Sequence, residues 1–573
     1  RALNLPITGR MGSSTGIQVG RECMVVSFDY LRMKQFQLGR TRLPICPVGP
    51  AIISQPPGGT LRVAGRINGL ALAGSVGSSP LRLNSGSVLV TQGGFNATNA
   101  SLRLGKSATN PVMINAANLR GTFAGGGASG TLGGADAVIG TVPIAMSEID
   151  GRWRFAESGA LTVDGAMTVS DRSVPAKFYP LRANDVRFVM ADNRIRATGG
   201  LRHPGTGTLV TNATIEHNLN SGAGHADLDV PGVAFGPALQ PEELTPVTEG
   251  VVALVNGVLK GQGRINWSGK GNVTSTGDFS TADMSLAAPF GPVAGLSTNI
   301  HFTDLLGLET APGQVATIRS MNPGIEVTNG VVRYQLLRDQ LVKVERGEWP
   351  FMGGRLILEE TILNFGAPSA KRLTFRVEGL NSKTFVDTLG FQGLEVTGIF
   401  DGVLPMIFDE AGGRIVGGRL EARPPGGEFR YNGPRPESGL VAGAAFDLLS
   451  NIRYRNMVIR LDGDLAGEFA SRFAISNVAL NREGGGLAAG LVRRAFRNVP
   501  LKVNLNISGP FRSLIATAKS LRDPTVMISE ILPVPLDEIP GIETEVRTRR
   551  EEESQTYNPN DEIDATTTPP TER

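Results

Sequence analysis

The sequence predicts an all-β fold with a few short helices, built from antiparallel hairpins and meanders. Apolar and polar residues alternate with a period of two along most of the chain, and each predicted strand is apolar on one face only. In 161–169, for example, Leu161, Val163, Met167 and Val169 share a face. Glycine is also abundant, with 74 in 573 residues. Glycine is poor in helices but suits the turns and bulges of sheets, so both observations favour the same fold.

The alternation continues along the chain at fairly even spacing, which favours one continuous sheet over separate globular domains. Further strands are predicted at 61–67, 259–267, 273–279, 373–377, 394–408, 416–422, 457–461 and 501–507. After a turn at Gly412 and Gly413, the apolar face is predicted to resume with Val416, Gly418 and Leu420. The small-residue stretch 121–136 is the best candidate for a boundary, or else a small-residue strand pair.

Four segments are predicted to be helical, because they carry apolar residues at helical spacing or helix caps. These are 245–258, opened by Thr245 and Pro246, 382–390 with a Ser382 cap, 440–452 and 511–521. From 541 onward the chain is polar without a core pattern and is predicted to be a disordered tail.

Composition excludes several classes of function. The 56 basic and 53 acidic residues are interspersed and leave a net charge of +3, which gives no electrostatic footprint for nucleic acid. No uninterrupted apolar run is long enough for a membrane-spanning helix. The chain begins at Arg1 without an initiator Met or a signal peptide, and it is interpreted as a fragment or processed form.

No constellation of catalytic or metal-binding residues stands out. The spacing of His217, His225, Asp227 and Asp229 matches no established metal-ligand pattern, and His301 is predicted to face solvent. No nucleophile elbow is present. We therefore expect no enzyme activity, no metal and no cofactor. The apolar face itself remains, either buried in a two-sheet sandwich or lining an open trough, and alternation does not separate these two cases.

Residues 151–510 resemble the YdbH family of Gram-negative bacteria, whose domain is also known as the dicarboxylate transport domain. The resemblance rests on the unusual stretches FTDLLGLETAPGQ (302–314), NGVVRYQLL (329–337), EWPFMGGRL (348–356), GIFDGVLPM (398–406) with its GGRI turn, and PLKVNLNISGP (500–510). The family is related to TamB and the AsmA-like proteins.

The resemblance implies a long curved antiparallel sheet that forms an apolar trough, the AsmA-like or β-taco fold. It implies a periplasmic bridge-like protein that conducts phospholipids between the inner and outer membranes. It further implies an inner-membrane anchor, missing from this chain, and a small outer-membrane lipoprotein as partner near the C-terminal end. Cys23 and Cys46 are either two buried thiols or one disulfide, and an oxidising periplasm favours the disulfide.

The apolar residues of the predicted strands are the candidate lining of the trough, since each buried CH2 of an acyl chain is worth roughly 0.8 kcal/mol. They are Leu161, Val163, Met167, Val169, Leu259, Ile265, Trp267, Phe279, Ile300, Phe302, Phe375, Val377, Phe400, Leu404, Met406, Phe408, Met457, Ile459, Leu461, Val503, Leu505 and Ile507.

The chain is divided on this basis into five parts. These are an N-terminal part of a truncated β region with the cysteine pair (1–60), a Gly-rich β segment (61–150), the trough domain (151–510), a C-terminal helix or extension (511–540) and the tail (541–573). Two alternatives to lipid conduction stay open: a structural or adhesive β-solenoid, and an envelope scaffold that carries no lipid. A role as an accessory in dicarboxylate transport is less well supported, because no helix is predicted to span a membrane.

Overall fold

The fold is that of a computed structural model of the full chain. It describes residues 4, 6, 8–14, 16–33, 36–77, 79–105, 112–139, 144–288, 290–322, 326–366, 369–389, 393–409, 412–432, 451–465, 468–480 and 503–510.

The described residues form 35 β-strands, one α-helix and two short 3-10 helices. The strands are β1 (Gly9–Gly12), β2 (Gly16–Val19), β3 (Met24–Phe28), β4 (Leu31–Met33), β5 (Phe36–Leu38), β6 (Thr41–Pro47), β7 (Ile53–Gln55), β8 (Arg62–Val76), β9 (Ser79–Thr91), β10 (Gly94–Leu104), β11 (Val112–Ala124), β12 (Gly127–Ile139), β13 (Ile144–Phe155), β14 (Leu161–Asp171), β15 (Leu181–Ala191), β16 (Arg194–Arg202), β17 (Leu209–Asn218), β18 (Gly224–Phe235), β19 (Ala253–Trp267), β20 (Val273–Ala288), β21 (Gly291–Asp304), β22 (Glu309–Thr310), β23 (Gln314–Met321), β24 (Val327–Leu337), β25 (Leu341–Phe351), β26 (Gly354–Leu358), β27 (Thr361–Asn364), β28 (Lys371–Asn381), β29 (Leu394–Val396), β30 (Ile399–Asp409), β31 (Gly412–Ala422), β32 (Gly427–Tyr431), β33 (Asn451–Asp464), β34 (Glu468–Leu480) and β35 (Val503–Pro510).

The strands pair antiparallel into one long open sheet, so the predicted fold class is confirmed. From β8 to β21 each strand pairs with the next along the chain. The ladder then continues from β21 through β23 and β24 to β25. Two short strands, β26 and β27, pair with different parts of β25, and β26 also pairs with β28. From β28 the ladder continues through β30, β31, β33, β34 and β35. With strands about 4.8 Å apart, this ladder extends on the order of 100 Å.

The N-terminal strands attach to β8. β1, β2 and β7 form one ladder against it, and β3 reaches it through β6. Cys23 immediately precedes β3, and Cys46 lies within β6. The two cysteines form a disulfide. The disulfide therefore closes the loop that carries β3 to β6.

Many strands bend near their middle, which curls the sheet toward its apolar face. Gly69 in β8, Asn99 in β10, Gly134 in β12 and Glu148 in β13 all have positive φ. Pairing skips or shifts at these positions, as in a β-bulge. Bulges of this kind bend a strand and increase its twist. Repeated on neighbouring strands, they turn a flat sheet into a trough.

A further bulge lies in β31 and interrupts the alternation that the sequence predicted there. Gly417 has a φ of +71°, and the register shifts between Ile415 and Gly418. Ile415 is therefore buried beside Met406, while Val416 is 47% exposed. The prediction that Val416 shares a face with Gly418 and Leu420 is wrong, because the bulge inserts one residue.

Of the predicted helices, 382–390 corresponds to α1 (Ser382–Leu389). Its cap is Asn381, whose Oδ1 accepts from the N–H of Lys383 and of Thr384, rather than Ser382. Ser382 instead donates to the carbonyls of Val396 and Gly398. Helix 440–452 falls almost wholly outside the described residues, as do 511–521, the extension and the tail.

The predicted helix at 245–258 is wrong. Two 3-10 turns, η1 (Pro241–Glu243) and η2 (Pro246–Thr248), occupy its start, and β19 begins at Ala253. Thr245 does cap η2, because its Oγ1 accepts from the N–H of Val247. The valine-rich run that follows prefers the extended backbone that the neighbouring strands provide.

The sheet is continuous at position 150 and through the stretch 121–136. Position 150 falls inside β13, and the small-residue stretch 121–136 forms the β11–β12 hairpin with its turn at Gly125 and Gly126. The largest apolar core lies in the C-terminal half of the sheet, between Val293 and Ile475. The trough therefore differs in packing from one end to the other.

Candidate functional site

The pairing register places the apolar residues of successive strands on one shared face. Residues directly opposite each other in a ladder point to the same side of a sheet. Val163 lies between Trp153 of β13 and Phe188 of β15, and Phe279 pairs with Ile300 of β21. The same relation joins the strands of the ladder from β8 to β34. We call this side the lining face.

The predicted lining residues with described side chains all lie on this face. Those between β14 and β21 are half-buried, except for the buried Trp267 and Phe302: Leu161, Val163, Met167, Val169, Leu259, Ile265, Phe279 and Ile300. Those from β28 to β33 are buried: Phe375, Val377, Phe400, Leu404, Met406, Phe408, Met457, Ile459 and Leu461. Val503, Leu505 and Ile507 pair in register with β34, and their side chains lie outside the described set.

The N-terminal half of the lining face is accessible to solvent in part. Phe95, Phe123 and Trp153 form a ring cluster there, with centroids 5.9 and 6.0 Å from Phe95. Phe123 is 51% exposed although it lies on the lining face. The Trp153 indole N–H donates to the carbonyl of Arg120 at 2.9 Å, which fixes the ring. Exposed aromatic surface of this kind is available to an apolar ligand.

In the C-terminal half the lining face is buried within one apolar cluster. Phe375, Phe400 and Leu420 are no more than 1% exposed and belong to one apolar cluster. Phe385 and Val386 of α1 join the same cluster.

Several glycines on the lining face lie beneath large side chains. A Cβ at Gly121 would come within 2.4 Å of the Phe95 ring, and one at Gly261 within 2.4 Å of the Phe279 ring. At Gly330 it would come within 2.0 Å of Trp349 Nε1. Each ring therefore lies over a neighbouring glycine instead of standing upright. In such pairs the ring lies flat against the sheet and covers the backbone of the glycine.

The two long edges of the sheet, which we call the first and second rims, meet at one buried contact. Turns after β8, β14 and β18 lie on the first rim, and those after β15, β17 and β21 on the second, because an antiparallel meander alternates its turns. Ser79 Oγ on the first rim donates to the carbonyl of Leu219 on the second at 3.1 Å. Val76, Leu81, Leu104, Met190 and Leu219 form an apolar cluster around this bond. Here the trough is closed over.

A loop that belongs to the FTDLLGLETAPGQ stretch folds onto the lining face. Asp304 Oδ1 accepts from Ser275 Oγ at 2.7 Å and from the Gly307 N–H at 3.1 Å. Burial opposes ionisation of Asp304, but these hydrogen bonds and the charges of Arg338 and Lys177 outweigh it and hold its pKa below the usual value. The Leu305 side chain covers Gly263 and Gly277.

The histidines do not converge on a metal site. His217 lies on the lining face opposite Gly224, whereas His225 pairs with Glu216 on the outer face. His301 forms an exposed pair with Asp278 at 2.7 Å, so its prediction as a solvent-facing residue is confirmed. Among the described residues, no group of three or more His, Cys, Asp or Glu is placed to hold a metal ion.

The outer face carries charge in cross-strand ion pairs. Arg355 bridges Glu348 and Glu378 at 3.0 and 2.8 Å, and Arg423 binds Asp401 at 2.6 Å. Hydrogen bonds from Arg423 lower the pKa of Asp401, and one from the Gly379 N–H lowers it further. Partial burial opposes them, but the pKa stays below its usual value. A shallow depression of about 590 Å³ lies beside Glu348 between Arg333 and Arg355. The two faces of the sheet thus differ sharply in polarity.

Sequence reasoning missed several residues of the lining face. Phe95, Phe123 and Trp153 lie in segments for which no lining residue was predicted, although RWRF (152–155) alternates in the same way. Trp349, Phe429 and Phe473 are buried in the large cluster. The alternation around these residues was a usable signal.

These features define an open antiparallel β-sheet protein with one largely apolar face. Among the residues that the structure describes, no helix combines the length and apolar character that crossing a membrane requires. The chain belongs to the YdbH-like family: the family model described as intermembrane phospholipid transport protein YdbH matches residues 12–530. This is a family of transport proteins and not of enzymes. No curated protein and no solved structure matches the chain significantly.

Proposed function

We propose that this protein conducts phospholipids between the inner and outer membranes of the cell envelope, with acyl chains held along the lining face. The observation that carries the proposal is the shared face on which apolar residues of successive strands pair from β8 to β34. Family membership supports phospholipid as the cargo. Such a face suits transfer, because each CH2 that leaves water contributes roughly 0.8 kcal/mol wherever it lies along the face.

The outer face supports the same proposal through its polarity. Exposed ion pairs such as Arg423 with Asp401 keep that side hydrated, while acyl chains occupy the opposite side. Head groups would stay in water at the rims. The chain would act in the periplasm, anchored at the inner membrane, with a small outer-membrane lipoprotein near its C-terminal end.

The difference in packing along the trough fits a route with two kinds of segment. The half-buried lining around Ile265 and Phe279 would receive acyl chains without rearrangement. Between β25 and β34 the buried apolar cluster would open as lipid passes. Contacts with acyl chains would then replace the contacts that Phe375 and Phe400 make with their neighbours. Methionine and leucine side chains adapt readily to such exchange.

Site-specific photocrosslinking tests the proposal directly. A photoreactive side chain at Phe279, on the lining face, is expected to capture phospholipid in protein purified from the envelope. The matched control is Asp278, the next residue along β20, which is exposed on the outer face. Capture of protein alone at Phe279 would support a scaffold, and equal lipid capture at both positions would contradict a groove.

A further inference from the structure

A second contact between the rims lies beyond the buried one and is built differently. Lys177, in the connection after β14 on the first rim, donates from Nζ to the carbonyl of Leu306, after β21 on the second rim. Seven strands separate the two connections in the ladder. Only the curl of the sheet brings them together, so residues 172–180 extend from one rim to the other.

The first-rim side of this contact is held in place by hydrogen bonds. Asp171 accepts from the N–H of Ser173 at 2.9 Å and of Lys177 at 2.6 Å. Thr245 Oγ1 donates to the carbonyl of Lys177 at 2.5 Å, and the Tyr179 hydroxyl donates to Glu249 at 2.8 Å. The segment therefore presents the Lys177 side chain from a defined backbone.

The second-rim side is equally well built. Ser275 Oγ, from a side chain that is 2% exposed on the lining face, accepts from the Leu306 N–H at 2.9 Å while it donates to Asp304. Arg338 holds the other Asp304 oxygen at 3.3 Å. The loop 304–309 thus fixes the Leu306 carbonyl beside the charge of Lys177.

The two rim contacts differ in strength for a physical reason. Ser79 and Leu219 are buried within an apolar cluster, so separating them exposes that cluster to water. Lys177 and Tyr179 are exposed. Exposed charged contacts contribute little to stability, so this contact opens far more readily.

We propose that residues 172–180 and 304–309 form a releasable clasp over the trough, and that its opening admits phospholipid sideways between the rims. The inference rests on the proposed lipid conduction and adds a place of entrance or exit to it. Directly beneath the clasp, Leu305 covers Gly263 and Gly277 of the lining face. Release of the loop would uncover lining beside Ile265 and Phe279, which are already half-buried.

Cross-linking the clasp tests this inference. In the double variant Lys177→Cys with Leu306→Cys, a bifunctional thiol reagent about as long as a lysine side chain would join the rims. The two native cysteines are already paired, so only the added thiols react. Uptake of a fluorescent phospholipid from vesicles of phosphatidylethanolamine and phosphatidylglycerol is expected to slow about tenfold relative to the same variant treated with a monofunctional reagent.

Two further variants sharpen the result. Ser79→Cys with Leu219→Cys, cross-linked in the same way, is expected to leave uptake unchanged because that contact stays closed. Lys177→Met keeps the length of the side chain and removes its charge, and it is expected to speed uptake several-fold.

Each outcome has a distinct meaning. Equal uptake by the cross-linked and monofunctionally treated clasp variants would overturn the clasp and leave lipid conduction standing. Failure of the folded clasp variant to cross-link would refute the rim contact itself. If the unsubstituted protein takes up no phospholipid, conduction fails, and the clasp as a lipid opening falls with it.

Discussion

Trp267 donates a hydrogen bond from its indole nitrogen to Nδ1 of His217 over 3.0 Å, across the intervening strand β18. The indole ring lies over Gly224, which pairs with both residues. His217 is only 9% exposed, and burial lowers its pKa. The pair places a polar contact, partnered at Nδ1, inside a largely apolar lining.

Substitution of Trp267 by Phe is expected to destabilise the protein by about 1–3 kcal/mol, because His217 Nδ1 loses its donor in a buried site. Denaturant unfolding followed by circular dichroism measures this. Trp153→Phe is the matched control, since its N–H donates to a backbone carbonyl at an exposed position. An equal loss of unfolding free energy in both variants would show that the hydrogen bond to His217 does not stabilise the protein.

Gly330→Ala is expected to lower stability by about 1–3 kcal/mol, because the added methyl would overlap the buried Trp349 ring. The near-ultraviolet signal of the tryptophans should change with it. Gly93→Ala, where a Cβ meets nothing within 4 Å, is the control and should melt like the unsubstituted protein. If Gly330→Ala changed neither the stability nor the near-ultraviolet signal, Trp349 would not lie over that glycine.

Phe408→Asp is expected to unfold the C-terminal half of the sheet, because Phe408 is 3% exposed and its removal from a core costs about 3–5 kcal/mol before any charge is buried. Ile265→Asp, at a half-buried position, should leave the melt closer to that of the unsubstituted protein and weaken phospholipid capture. Thermal melts paired with lipid extraction separate the two effects. Equal destabilisation by both variants would contradict the difference in packing.

The low pKa of Asp304 makes part of the stability dependent on pH. A carboxyl whose pKa is depressed in the folded state stabilises the protein above its unfolded pKa of about 3.9, and this contribution is lost as the pH falls through the folded value. The difference in unfolding free energy between the unsubstituted protein and Asp304→Asn should therefore be largest near neutrality and shrink on acidification below about pH 4. A difference that stays constant down to strongly acid pH would refute this assignment.

Loss of the disulfide is expected to act locally. Cys23→Ser with Cys46→Ser removes a crosslink across 23 residues, for which chain entropy predicts about 3 kcal/mol. Hydrogen exchange should speed up in β3 and β6 and remain unchanged in β14 to β21. Faster exchange throughout the sheet would mean that the N-terminal strands support the whole trough.

Much of the fold could be predicted from particular residues. The alternation in 161–169 and 259–267 places Val163 and Ile265 on the correct face, because a strand has only two sides. The same rule failed at Val416, where a bulge at Gly417 inserts a residue. The helix signals at 245–258 failed for another reason, because from Ala253 onward they gave way to strand pairing with β18 and β20.

The candidate site was predictable only in part. Sequence reasoning identified apolar residues on one face, but it treated Phe279 and Phe408 alike. Phe279 is half-buried, whereas Phe408 is buried in the large apolar cluster. That difference depends on how strongly the sheet curls at each point, and the curl is the sum of small bends contributed by many strands.

By itself, the sequence determined the strand periodicity, the polarity of each face and, through its motifs, the family. These are local properties, since a residue's side of a strand depends only on its neighbours along the chain. The tertiary structure alone decided which glycines lie beneath rings, where the walls close, and that Lys177 meets Leu306 across the trough. The Lys177 contact joins residues 129 positions apart, and it forms only after the bends of all the strands between them have accumulated.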